Sequence, residues 1–218
     1  MRKKILIATL NIIVIMWISI LSCSNVSATI GNTETFVYSN DFFSGDYYHL
    51  LEMGGYFTNE GKSVNYIARP KLAYGLNSIL TNSDCTHIST HGMSAGSKLV
   101  LDNDPYVYYM PSNVPTQMNC NLAFISACYG AKTNTSTNTN LCSTLVSRGY
   151  KTVIGYKEEV GVQSSRVLED TFYKNWITYG KPASAALSTA RSYASSVYGS
   201  NDEAVTSVTL YGNGGLVH

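Results

Sequence analysis

Two short segments decide the fold: CTHISTHG at residues 85–92 and LAFISAC at residues 122–128. Each is a run of apolar and β-branched residues that ends in a reactive side chain next to a small residue. A short run of this kind, bounded by turn signals, is typical of a strand buried on both faces of a parallel sheet. We therefore predict two core strands that end at His91 and Cys128.

The segments around these two strands alternate between strand and helix patterns. The predicted strands are 35–38, 63–67, 85–90, 122–127, 152–156 and 205–211, and the predicted helices are 47–57, 70–80, 140–148, 163–179 and 182–198. Residues 98–105 are predicted to form a hairpin or a loop. This alternation is typical of βαβ units. It predicts an α/β domain over residues 29–218 whose sheet is mostly parallel and covered on both faces.

His91 and Cys128 each follow a predicted strand at its carboxyl end. Open parallel sheets bind ligands beyond that edge, so both side chains are expected to face one cleft. A thiol becomes a good nucleophile when a nearby imidazole takes its proton or stabilises the thiolate. The backbone N–H groups of Gly92 and Cys128 can then hold a developing oxyanion. The pattern predicts Cys128 as nucleophile and His91 as general base.

The two motifs together resemble the caspase-like (clan CD) cysteine peptidases, the group that includes clostripain, gingipain, legumain and CHAT-domain proteins. The similarity covers most of residues 35–215 and includes the segments LVLD at 99–102, TVIG at 152–155 and LYGN at 210–213. It implies an α/β/α sandwich with a mostly parallel central sheet. It also implies a cysteine endopeptidase that cleaves polypeptides through an acyl-enzyme on Cys128, with no cofactor. Whether calcium is required stays open.

The resemblance also directs attention to a substrate pocket beside the nucleophile. Some relatives carry a polar or acidic pocket-lining residue two positions before the cysteine, and here that residue is Ser126. Because Ser126 is not acidic, a preference for Lys or Arg at the cleavage site does not follow. Asp41, and Glu158 or Glu159, are further candidates for the pocket lining.

Three other interpretations stay open at this point. Gly92-Met93-Ser94-Ala95-Gly96 matches the G-x-S-x-G elbow of serine hydrolases, although no helix is predicted after it and only His218 follows as a base. A metal site could combine Cys85, His87, His91 and Cys128, but six residues along a strand separate Cys85 from His91, so no metal is expected. A catalytically inactive caspase-like domain used for binding is the third interpretation.

The N-terminus has the layout of a secretory signal peptide over residues 1–28. The basic residues Arg2, Lys3 and Lys4 precede an apolar run over 5–21, and small residues follow up to Ala28. A lipoprotein signal to residue 22, with a lipid anchor at Cys23, and an uncleaved anchor are the alternatives. All three export the rest of the chain and predict a secreted or cell-envelope protein. Once a signal peptide is removed, no transmembrane domain is expected to remain.

Charge and cysteine usage limit the remaining function classes. Three of the 15 basic residues lie in the predicted signal, so the rest of the chain, with 14 acidic residues, carries about −2 and lacks the basic footprint of a nucleic-acid-binding protein. Cys85 and Cys120 could form a disulfide, which leaves Cys142 unpaired. His87 is predicted to be a satisfied sheet residue and His49 a surface residue.

Overall fold

A six-stranded sheet organises the chain in the computed structural model, which describes residues 33–38, 44–68, 73–103 and 106–218. Its strands follow the order β2-β1-β3-β6-β7-β8, and only the β7–β8 pair is antiparallel. These strands are β1 Thr33–Tyr38, β2 Ser63–Ala68, β3 Cys85–Ser89, β6 Cys120–Ser126, β7 Tyr150–Tyr156 and β8 Val208–Gly212. A separate antiparallel hairpin is formed by β4 Leu99–Asn103 and β5 Tyr106–Tyr109.

Helices cover both faces of the sheet. They are α1 Ser44–Asn59, α2 Ala73–Asn82, α3 Leu141–Ser147, α4 Val162–Tyr173, α5 Ala183–Tyr198 and α6 Glu203–Ser207. A π-helical turn, Lys174–Thr178, continues α4. One core lies between the sheet and α1, α4 and α5, and a second lies between the sheet and α2, α3 and the hairpin. The architecture is an α/β/α sandwich, as predicted.

The predicted element order is confirmed except near the C-terminus. Residues 205–211 were expected to be one strand, but the chain forms α6 first and enters β8 only at Val208. The Asp202 side chain accepts a hydrogen bond from the Ala204 N–H at 2.9 Å, and a side chain in this capping position favours a helix start. Cys85 and Cys120 are free, buried thiols, so the disulfide considered between them is not formed.

The register of the central strands sets the position of the two predicted reactive residues. β3 and β6 pair in parallel, with Ser89 opposite Ser126. His91 and Cys128 each stand two residues beyond that pair. Because paired strands lie about 4.8 Å apart, the two residues leave the sheet side by side.

Glu34 is a buried carboxylate at the opposite, amino-terminal end of the sheet. It lies in β1, is 1% exposed, and stands opposite Cys85 in the register. Burial raises the pKa of Glu34 to about 7, and hydrogen bonding from Cys85 offsets only part of that effect. The folded protein therefore binds this proton more tightly than the unfolded chain does.

This shift predicts that the Glu34→Gln variant is more stable than the wild type at alkaline pH. The folded pKa is raised, so the stabilising effect of the protonated carboxyl is complete below pH 4.5 and is lost as pH rises through about 7. We expect Glu34→Gln to gain roughly 2–3 kcal/mol in unfolding free energy at about pH 8 and little at about pH 5. Urea unfolding at both pH values measures the difference, with Glu60→Gln as an exposed control. An equal effect of Glu34→Gln at the two pH values would contradict the prediction.

Candidate active site

One cavity opens beyond the carboxyl ends of β3 and β6. It has a volume of about 540 Å³. The turn after β3, the turn after β6, the loop after β7 and the helices α1 and α4 all contribute to it. Its lining residues are His49, Ser89, Thr90, His91, Gly92, Met93, Ser94, Ser126, Ala127, Cys128, Tyr129, Glu159, Val160, Val162, Ser165, Arg166 and Glu169. The structure thus brings His91 and Cys128 to the same cavity.

A tight turn after β6 presents Cys128. Tyr129 has a positive φ of 59°, a conformation that non-glycine residues rarely adopt. The turn is held by a hydrogen bond from the Gly130 N–H to the Ala127 carbonyl at 3.1 Å and by one from the Tyr129 N–H to the Glu158 carbonyl, also at 3.1 Å. Strained backbone that its surroundings hold in place is common at functional sites. Here it leaves the Cys128 thiol partly exposed at the cavity wall.

Gly92 allows the turn after β3 to approach Cys128 very closely. A Cβ atom at position 92 would lie 1.6 Å from the carbonyl oxygen of Cys128, so a side chain there is sterically excluded. Within the described residues, the N–H groups of Gly92 and Cys128 donate no hydrogen bond. The role of these two N–H groups as an oxyanion hole stays a prediction.

The loop after β7 also contacts the thiol. The Val160 N–H lies 3.4 Å from the Cys128 Sγ and donates to it. The Cys128 Sγ also lies 3.9 Å from the Val160 carbonyl oxygen, to which the thiol donates. Both backbone groups of Val160 thus fix the position of the sulfur at the cavity wall.

Glu169 forms the floor of the cavity and was not identified from the sequence. Its Oε1 accepts hydrogen bonds from the Ser126 hydroxyl at 2.6 Å and from the Tyr156 hydroxyl at 3.0 Å. Its Oε2 lies 3.6 Å from His49 Nε2 and 3.7 Å from His87 Nε2. A sequence signal existed, because Glu169 falls on the apolar side of the predicted helix, where an acid rarely stands unpaired.

The protonation states in this network follow from burial and from the neighbouring polar groups. Burial alone would raise the pKa of Glu169, but the neighbouring His49 and His87 and the Ser126 hydroxyl outweigh it and lower that pKa. Burial lowers the pKa of His87 to about 4, although Glu169 opposes this. At neutral pH Glu169 is therefore ionised and His87 is neutral. The Ser126 hydroxyl, at the end of β6, donates to this buried carboxylate.

The other predicted pocket residues divide into three outcomes. Ser126 and Glu159 line the cavity. Glu158 does not; it is exposed and pairs with Lys132 at 3.4 Å. Asp41 lies outside the described residues. The roles of these residues in substrate binding stay predictions.

Two histidines have clear positions in the fold. His87 is a satisfied sheet residue, as expected, because it stacks on Phe36 and Phe124 and its Nδ1 lies 3.2 Å from the Tyr173 hydroxyl. The expectation that His49 is a surface residue is wrong. The His49 side chain is only 10% exposed and lines the cavity above Glu169, since α1 packs against α4.

The serine-elbow interpretation finds no support in the geometry. The chain after Ser94 turns into β4 rather than into a helix. His218 packs against Phe57 and Trp176 and does not line the cavity. In the described part of the chain, no group of three histidine, cysteine or acidic residues is placed to hold a metal ion.

The sandwich fold and the paired turns ending at His91-Gly92 and Cys128 define a caspase-like protein of clan CD. The CHAT domain family matches residues 73–198, which is more than half of the chain. The protein therefore belongs to the CHAT domain family. The matched range contains both turns of the candidate site.

Comparison with solved structures supports the same fold. The Saccharomyces cerevisiae separase in the crystal structure of the separase–securin complex is similar, with a TM-score of 0.53 and 18% identity over 84% of this chain. The match spans only 12% of that chain. Because the sequence identity is only 18%, the similarity concerns the fold alone. The comparison with curated proteins found no match. Over the described residues, no helix is both long enough and apolar enough to cross a membrane.

Proposed function

We propose that this protein is an exported cysteine endopeptidase in which Cys128 is the nucleophile and His91 the general base. The observation that carries the proposal is the register of β3 and β6. It places His91 and Cys128 at equivalent positions beyond Ser89 and Ser126, on one cavity. Export is proposed from the basic and apolar pattern of residues 1–28, with a lipid anchor at Cys23 as the alternative.

In the proposed reaction, His91 takes the thiol proton and the Cys128 sulfur attacks the carbonyl carbon of the scissile peptide bond. The resulting oxyanion accepts hydrogen bonds from the N–H groups of Gly92 and Cys128. As the intermediate collapses, the C–N bond breaks and the leaving amine takes the proton from His91. An acyl-enzyme on Cys128 remains.

Water completes the cycle. His91 removes a proton from the water molecule, whose oxygen attacks the thioester carbonyl. The C–S bond then breaks, and the sulfur regains the proton held by His91. The products are a carboxylic acid and the free enzyme, so no cofactor takes part in the proposed cycle.

Alkylation kinetics test the dyad without requiring a known substrate. We expect iodoacetamide to modify Cys128 in preference to Cys85, Cys120 and Cys142, which are buried. Burial alone would explain that selectivity, so the informative measurement is the rate at Cys128. We expect His91→Ala to slow this rate about tenfold near neutral pH, because the imidazole promotes the thiolate.

Ser94→Ala is the matched control for this measurement. Ser94 lines the same cavity but has no part in the proposed dyad, so its variant should be alkylated at the wild-type rate. Peptide mapping by mass spectrometry assigns the modified residue. If His91→Ala leaves the rate at Cys128 unchanged, the two residues do not act as a pair and the peptidase proposal fails.

A further inference from the structure

A second groove lies beside the catalytic cavity, between α1, α4 and α5. Its volume is about 510 Å³. Its lining residues are Tyr48, His49, Glu52, Gln163, Arg166, Val167, Asp170, Thr171, Tyr193 and Tyr198. We call it the tyrosine groove.

The tyrosine groove adjoins the catalytic cavity. His49 and Arg166 line both, so a polypeptide bound in the cavity has the groove directly beside it. Arg166 places a positive charge at this junction. Beyond the junction, the ionisable side chains that line the groove are acids and tyrosines.

Aromatic rings at the surface of the groove are accessible to a ligand. Tyr48 is 69% exposed, Tyr193 54% and Tyr198 38%. Each of these three tyrosines leaves more than a third of its surface open to solvent, and tyrosine rings attract cations through the face of the ring. They also provide a surface for the alkyl stem of a lysine or arginine.

Two carboxylates complete the groove. Glu52 is exposed, and Asp170 is partly buried and accepts a hydrogen bond on Oδ1 from the Tyr56 hydroxyl at 2.9 Å. Neither acid forms an ion pair with another described residue. Two carboxylates that have no ion-pair partner in the described part of the chain, and that stand among tyrosine rings, are complementary to a basic side chain.

We infer that the tyrosine groove binds a lysine- or arginine-containing segment of a polypeptide substrate, a few residues from the scissile bond. That the bound polypeptide is a substrate rests on the proposed function, whereas binding of a basic peptide does not.

Direct binding tests the inference without cleavage. The full chain carrying Cys128→Ala is titrated with two fluorescein-labelled peptides of alternating residues, one lysine–glycine and one glutamine–glycine. Fluorescence anisotropy at low salt, about 50 mM, measures each Kd. We expect the lysine peptide to bind about tenfold more tightly.

Variants locate the binding. The double variant Glu52→Gln with Asp170→Asn should remove most of the preference for lysine. The amide introduced by Asp170→Asn retains an oxygen acceptor for the Tyr56 hydroxyl, so the fold is preserved. Tyr198→Ala should weaken binding of the lysine peptide severalfold. Matched controls are Glu60→Gln, just beyond α1, and Tyr74→Ala, an exposed tyrosine on α2; both should bind like the parent.

The outcomes separate this inference from the peptidase proposal. Equal affinity for the two peptides, or a lysine preference that survives in the double variant, would overturn the groove assignment. If the double variant loses the preference for lysine and the control variants keep it, the groove assignment is supported. This holds whether or not the active protein cleaves peptides. Failure of the wild type to cleave any peptide bears on the proposed function and leaves the binding result standing.

Discussion

Cys128→Ala is expected to lower peptide hydrolysis by at least about 10³-fold, because covalent catalysis needs the sulfur and no neighbouring group replaces it. His91→Ala should cost a comparable factor, since the proton transfers at both halves of the reaction depend on one imidazole. A peptide library analysed by mass spectrometry measures the rates and also reports the residue preferred at the cleavage site.

Ser94→Ala is the control that separates the competing interpretations. It should retain wild-type rates, because β4 follows Ser94 where a serine elbow requires a helix. If Ser94→Ala is inactive and Cys128→Ala is active, the serine hydrolase interpretation is correct instead. If the wild-type protein cleaves nothing, the chain is better described as a binding domain on a caspase-like scaffold.

Gly92→Ala is expected to lower activity about 100-fold although it changes no group that reacts. The added Cβ would lie 1.6 Å from the Cys128 carbonyl oxygen, and backbone atoms cannot yield as a flexible side chain can. One of the two turns must therefore move by on the order of 1 Å. A displacement of that size is enough to misalign reacting groups and oxyanion donors.

Gly55→Ala is the matched control for Gly92→Ala. Gly55 lies in α1, and a Cβ there has no atom within 4 Å. Alanine should stabilise this helix by roughly 0.5–1 kcal/mol and leave activity unchanged. Thermal unfolding of both variants separates local displacement from global loss of structure. Wild-type kcat/KM in Gly92→Ala would show that the close approach of the two turns is not needed.

The central strands could be predicted because their apolar side chains require burial, whatever the rest of the chain does. The run around Phe124 and Ile125 is apolar on both faces, and such a strand must be covered on both faces. The carboxyl-end rule then placed His91 and Cys128 at one edge of the sheet. His91 and Cys128 lie side by side only if their strands pair in the correct register. β3 and β6 do so, because Ser89 stands opposite Ser126.

The floor of the cavity could not be predicted in the same way. Glu169 lies 43 residues from Ser126 along the chain, and only the packing of α4 against the sheet and α1 brings it under Ser126, Tyr156 and His49. A buried acid in an amphipathic helix signals a partner without identifying it. The start of α6 was missed for a local reason, because Asp202 as a cap outweighs the strand propensity of Val205.

The four cysteines in the described residues divide into one accessible thiol and three protected ones. Burial raises the pKa of Cys85, Cys120 and Cys142, so these side chains resist oxidation as well as alkylation. Cys128 thus has no exposed cysteine of its own chain, within those residues, with which to form a disulfide. In oxidising surroundings its first products would be a sulfenic acid or a mixed disulfide with a small thiol. A reductant can reverse both without rearranging any other bond in the molecule.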